Sequence, residues 1–208
     1  MTSPQTRSAH DRQRESTRKA ILDSAMTMLR EEPASTISHE AIADRSGIAA
    51  RTVYRHFPTR GHLGAALWAR IRDETGTRWP TTEANIVPAV RAQFKQFEKH
   101  KTFVRATLFA SSTADARAQG SAEGRAAFGQ SLAGVTRDLS PAEGRRLIAN
   151  CLAIYSAPFW QMLRDRGELS ALEAREAAAT ALEAVVSTAK DRARIRKPRT
   201  TNHKETRP

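Results

Sequence analysis

The chain has 208 residues, of which 39% are hydrophobic and 27% charged, a composition that supports one large folded domain or a small one joined to a larger. Its formal net charge of +12 makes phosphate-rich partners the class to consider first. The single cysteine, Cys151, excludes an intramolecular disulfide and a cysteine-rich zinc site, and neither a membrane-spanning apolar run nor the apolar core of a secretory signal is found, so a cytoplasmic protein with no membrane partner is expected.

Residues 1–16 read as a flexible basic arm; Arg7, Arg12 and Arg14, with Arg18 just beyond, could reach a minor groove or a phosphate backbone. From about Thr17 to Glu31 the residues Ile21, Leu22, Ala25, Met28 and Leu29 fall on one buried helix face, and Pro33 ends that helix. Ser38 is a good N-cap for a short second helix, Glu40 suits the positive end of its dipole, and Ile37 and Ile42 are spaced as a hydrophobic staple. Gly47 supplies the positive φ of a tight turn. A third short helix follows from Ala49 or Ala50 to about His56, and Thr59 can cap a fourth with Leu63, Leu67 and Ile71 at four-residue spacing. The stretch TGTRWPTTE, residues 75–83, marks a regional boundary.

Beyond it, Ile86, Val87, Val90, Phe94 and Phe97 mark a helix, and Phe103, Val104, Leu108 and Phe109 a shorter one. The small-residue stretch ASSTADARAQGSAEG, residues 110–124, reads as a loop or frayed helix ends. Phe128, Leu132 and Val135 begin a further helix, followed by two long segments, 141–166 and 170 to about 190, split by Gly167; Pro158 should kink the first or end its first half. The first long segment carries a wider apolar stripe than a surface helix needs, and the second is rich in alanine, so the pair is a candidate four-helix dimer interface, with an intrachain hairpin as the alternative. Residues 191–208 read as a basic disordered tail, either solubilising or an auxiliary nucleic-acid contact; eight Lys or Arg against two acidic residues in 190–208 hold half of the net charge.

No convincing strand alternation occurs, so the expected fold is all-α: a three-helix unit at 17–62 and a larger helical region at 63–190. Two short helices joined by a glycine turn and packed on a longer one make a helix-turn-helix. Ile42, Ala43, Ile48, Val53 and Phe57 would form its core, leaving Arg51, Thr52, Tyr54, Arg55 and His56 to face the major groove. Arginines can fork onto guanine or phosphate, hydroxyls can bond phosphate oxygens, and His39 and Arg60 sit at helix starts beside the backbone.

The segment TISHEAIADRSGIAARTVYRHFPTRGHL, within residues 17–71, resembles the N-terminal module of the tetracycline-repressor (TetR/AcrR) family of bacterial regulators. The resemblance rests on the Ile42-Ala43 pair, Gly47-Ile48, the Thr52-x-Tyr54-x-His56-Phe57 pattern and the basic Arg60. It implies a homodimer that binds double-stranded palindromic operator DNA, usually as a repressor, and leaves it when a small molecule occupies the C-terminal region. His39, Arg51, Thr52, Tyr54, Arg55, His56 and Arg60 are then the DNA-contact candidates. The chain departs from the family at Ala49, where Ser or Thr usually caps the recognition helix, and at Arg51, where Gly or Pro is common.

Phe97, Phe103, Phe109, Phe128, Tyr155, Phe159, Trp160 and Met162 lie in the region where that fold holds its ligand. They are either an effector pocket, which would favour an apolar or aromatic compound, or plain core. Cys151 reads as a buried small hydrophobe rather than a redox switch. No phosphate loop, nucleophile elbow or paired metal ligand is present, so neither an enzyme nor a cofactor or metal is expected. The rival reading is a non-specific basic DNA-binding protein driven by charge.

Overall fold

Helix formers fill almost every segment between the Pro and Gly punctuation, and the described residues form helices and no strand, as the periodicity predicts. A computed structural model describes residues 8–31, 37–109 and 113–196. The helices are α1 (Ala9–Glu31), α2 (His39–Ser46), α3 (Ala50–His56), α4 (Arg60–Thr75), α5 (Ile86–Lys99), α6 (Lys101–Phe109), α7 (Ala114–Ser131), α8 (Ala133–Thr136), α9 (Pro141–Ile154), α10 (Ala157–Asp165) and α11 (Ala171–Arg196). None is long and apolar enough to cross a membrane.

The chain divides into two units. The first runs to Arg78 and adds Gln93–Glu123. Its core joins Ile21, Ala25, Met28 and Leu29 of α1, Ile42 of α2, Val53 of α3 and Leu63, Leu67 and Ile71 of α4 with Phe103 and Ala116. Within this unit α4 buries its apolar stripe with the three preceding helices. The same face of α4 receives the start of α7 at Gly64, while Trp68 and Arg72 reach Glu123 through Nε1 at 2.8 Å and a guanidinium nitrogen at 3.1 Å.

The second unit comprises Trp79–Ala92 and the residues from Gly124 on. Trp79, Phe128 and Tyr155 meet edge to face or tilted, with ring centroids 5.3–6.3 Å apart, the geometry aromatic quadrupoles favour. Leu182, Ala178 and Ala179 of α11 and Leu147 and Cys151 of α9 are among its other buried residues.

Four expectations change. The arm of residues 1–16 is helical from Ala9, because Ser8 caps α1: its hydroxyl accepts from the Asp11 N–H while Asp11 takes the Ser8 N–H and O–H. Residues 1–7 lie outside the described residues. The small-residue stretch after Phe109 is helix α7 from Ala114, and its glycines are close-approach points rather than breaks; a Cβ on Gly120 would lie 2.9 Å from the Trp68 ring. Residues 110–112 of that stretch lie outside the described residues. The segment 141–166 is two helices: α9 ends at Ile154, Ser156 caps α10, and Pro158 sits in the first turn of α10, where its missing N–H costs nothing. Finally, α11 continues to Arg196, so 191–196 is helical; Ala193 is buried and Arg196 reaches Glu143 at 2.6 Å. Residues 197–208 of the expected tail lie outside the described residues.

Cys151 is fully buried, and burial pushes its thiol up to about 12. A neutral aromatic disulfide reagent should leave it unlabelled in the native protein at pH 8 and label one thiol per chain in denaturant. Complete labelling of the native protein within minutes would contradict this packing.

Candidate nucleic-acid interface

The interface is built from the turn outward. Ser38 accepts from the Ala41 N–H at 3.1 Å to start α2, and Ile37 and Ile42 are both buried as the staple requires. Gly47 takes φ +67°, a left-handed conformation that ends α2 without a Cβ penalty. At the next helix start Ala49 gives no side-chain cap, so its carbonyl alone holds the first turn, accepting from Thr52 N at 2.7 Å and Val53 N at 3.2 Å.

On α3 the odd face goes inward. Val53 is buried, and Phe57, just past the helix end, is buried as well. Arg51, Tyr54 and Arg55 are exposed on the other side, with Thr52 and His56 half-buried between the two. Arg60 opens α4, exposed, with Nε 3.9 Å from Asp115. Six of the seven candidate DNA-contact side chains are thus at least partly open to solvent around one short helix.

His39 is placed differently from the other six. It is 3% exposed. Its Nε2 lies 2.7 Å from the Phe57 carbonyl oxygen, and its ring stacks on Tyr54 at 4.2 Å between centroids and 2° between planes. The carbonyl can only accept, so His39 donates from Nε2. Its side chain thus ties the start of α2 to the end of α3 and lies against the plane of Tyr54. Being first in a helix suggested exposure; the staple beside it turns the side chain inward.

Glu40 is a residue that sequence reasoning assigned only to the helix dipole. The Tyr54 hydroxyl donates to its carboxylate at 2.6 Å. That bond holds the Glu40 carboxyl below and the Tyr54 phenol above their ordinary ranges. Fourteen residues separate the two, so only the packing of α2 on α3 could reveal the pair.

The effector candidates do not form one group. Phe97 and Phe103 belong to the first unit, Phe97 beside Phe94 at 5.8 Å and Phe103 in the core under the Arg30 guanidinium. Phe128, Tyr155 and Trp160 are buried in the second unit, where Phe159 is half-buried and Met162 is 49% exposed. The side chain of Phe109 lies outside the described residues. Trp79, which sequence reasoning passed over, sits against Phe128 and Tyr155 with a buried indole N–H that has no hydrogen-bond partner among the described residues. A buried donor left unpaired costs free energy until an acceptor reaches it.

On α9 and α11 a surface groove of about 310 Å³ is lined by Leu139, Leu147, Ala184, Val185, Ala189 and polar neighbours. Ile195, 83% exposed, lies eleven residues after Ala184 and so continues the same face of α11.

Comparison with known proteins places these features. Residues 21–67 match the family of bacterial regulatory proteins, tetR family. A curated relative, the HTH-type transcriptional repressor LfrR of Mycolicibacterium smegmatis (strain ATCC 700084 / mc(2)155), is 40% identical over 73 residues, 35% of this chain and 36% of the relative. The match thus spans little more than a third of that relative's length. A solved TetR transcriptional regulator from Rhodococcus sp. RHA1 aligns over 83% of this chain and 98% of its own, with TM-score 0.46 and 19% identity. The N-terminal helix-turn-helix is thus similar, over residues 21–67, to that of the bacterial regulatory proteins of the tetR family.

Proposed function

We propose that the protein is a ligand-responsive transcriptional repressor that binds a palindromic operator as a homodimer and leaves it when a small, largely apolar effector occupies the second unit. The observation that carries the reading is α3, whose buried Val53 and following Phe57 anchor a helix presenting Arg51, Tyr54 and Arg55 outward. Helices so held enter the major groove and read base edges. The similarity to a protein named as a repressor supports the sign of regulation. The groove on α9 and α11 is the proposed seat of the second copy. The unpaired Trp79 N–H refines the effector: apolar, with one hydrogen-bond acceptor. This role needs no catalytic group and no cofactor.

Fluorescence anisotropy tests it, using duplexes from the DNA flanking its own gene against scrambled duplexes over a salt series. One flanking segment should be preferred by more than roughly 10³. Arg51→Ala and Arg55→Ala should change the preference between duplexes by about 1–3 kcal/mol. Arg60→Ala and Tyr54→Phe should weaken binding to all sequences alike. Equal affinity for every duplex in the genome, falling together as salt rises, would instead favour non-specific binding through the net charge of +12.

A further inference from the structure

The inward face of α1 does not end at Ile21. Traced toward the N-terminus at helical spacing, the face that buries Ala25 and Ile21 continues as Thr17 and Arg18, then Gln13 and Arg14, then His10. Where α1 overhangs the end of α3, its core-facing side therefore changes from apolar to basic. Arg18 pins the overhang: its guanidinium donates to the His56 carbonyl oxygen at 3.3 Å and covers the Phe57 ring at 4.3 Å. One turn earlier, His10, Gln13, Arg14 and Thr17 face Arg55 and His56 across an open cleft of about 480 Å³.

We propose that this cleft between α1 and α3 is a second DNA contact, seating a phosphate of the duplex backbone outside the bases that α3 reads. The proposal rests on the DNA-binding reading above and extends it to α1. Arg14 forms no ion pair among the described residues, whereas Arg60 faces Asp115 and the Tyr54 hydroxyl is held by Glu40. The cleft thus offers donors not already committed to a carboxylate. Two acids stand nearby: Asp11, taken up by the Ser8 cap, and Glu15, which with Asp11, Arg14, Arg18 and His56 lines the adjoining hollow. Burial, then Arg55, Arg14 and Arg18, hold His56 below its ordinary range against the opposing pull of Glu15. A phosphate entering there would add negative charge beside Arg14, Arg18 and His56, and His56 would gain a proton.

The test uses the full-length protein on the preferred flanking duplex and on a scrambled duplex, each over a salt series. Arg14→Gln should weaken binding about fivefold at 0.15 M salt, make the log–log salt slope shallower by about one, and leave the preference between the duplexes unchanged. Lys19→Gln, an exposed cation on the same helix but turned away and paired with Asp23, is the control and should change neither quantity. Equal loss in both variants would reduce the effect to diffuse charge and overturn the site, as would an unchanged slope for Arg14→Gln. NMR titration of the His56 ring with inorganic phosphate separates the sources. A shift with phosphate alone, with no salt-slope change on DNA, would assign the cleft to a free anion and overturn the proposal. Failure of the wild-type protein to bind any duplex would instead overturn the reading on which it rests.

Discussion

Phe57→Ala is expected to cost about 3–5 kcal/mol of the first unit's stability, the largest single loss among its aromatic positions. The ring is fully buried in the core shared by α1, α2, α3 and α4, so its removal leaves a cavity that four helices would have to move to close. Alanine keeps the backbone bonds, the residue-57 N–H donating to the Val53 carbonyl at 2.9 Å and its carbonyl accepting from His39, so the expected loss is that of the ring alone. Arg18, stacked over the ring, would lose the surface that orients it. For a unit of this size each kcal/mol moves the midpoint by about 4–8 °C, so a drop of roughly 12 °C or more is expected by circular dichroism. Phe57→Leu keeps most of the volume and should cost less than about 1.5 kcal/mol. A loss under about 1 kcal/mol for Phe57→Ala would mean that α3 is held by something other than this core.

That dependence explains why the helix-turn-helix was legible from sequence. Its core residues are local, its turn needs a glycine at position 47, and its caps and staple sit within a few residues of one another. Such signals follow from short-range sterics. His39 and Glu40 escaped because their roles depend on partners 18 and 14 residues away. The same limit hid α7. Glycine at 120 looks like a break when read along the chain, and becomes a packing notch only once Trp68, 52 residues earlier, is pressed against it. The effector residues were legible as large apolar side chains and no further, because burial alone does not distinguish a pocket wall from a core. Nothing in the sequence shows that Phe97 and Phe103 pack in one unit while Phe128 and Tyr155 pack in the other. The helical end of α11 was missed for a related reason. Its charge density suggested disorder, but Ala189 and Ala193, four apart and buried, give the helix a face to pack, and Lys190 and Arg196 find Glu83 and Glu143.

If the α9–α11 groove seats the second copy of the proposed homodimer, Ala184→Glu should convert that dimer to monomer and weaken operator binding by about 10²–10⁴, the gain that linking two half-site contacts provides. Ala184 is exposed on α11, so a larger side chain there meets solvent in the single chain and leaves the monomer core untouched. In a four-helix dimer interface the same carboxylate would be buried opposite its symmetry mate, because a twofold interface meets itself. Two like charges without a counterion cannot both be desolvated at tolerable cost. Sedimentation velocity at micromolar concentration should show the change in mass, while the thermal midpoint of the second unit stays within a few degrees of the isolated-chain value. Ala184→Ser, small and neutral, should leave the assembly intact. A duplex carrying one half-site separates assembly from recognition: the wild-type protein and Ala184→Glu should bind it alike, since α3 and its arginines are unchanged. If Ala184→Glu remains dimeric, the α9–α11 groove is not where the second copy sits, and the two helices serve only as an intrachain hairpin within the second unit's core.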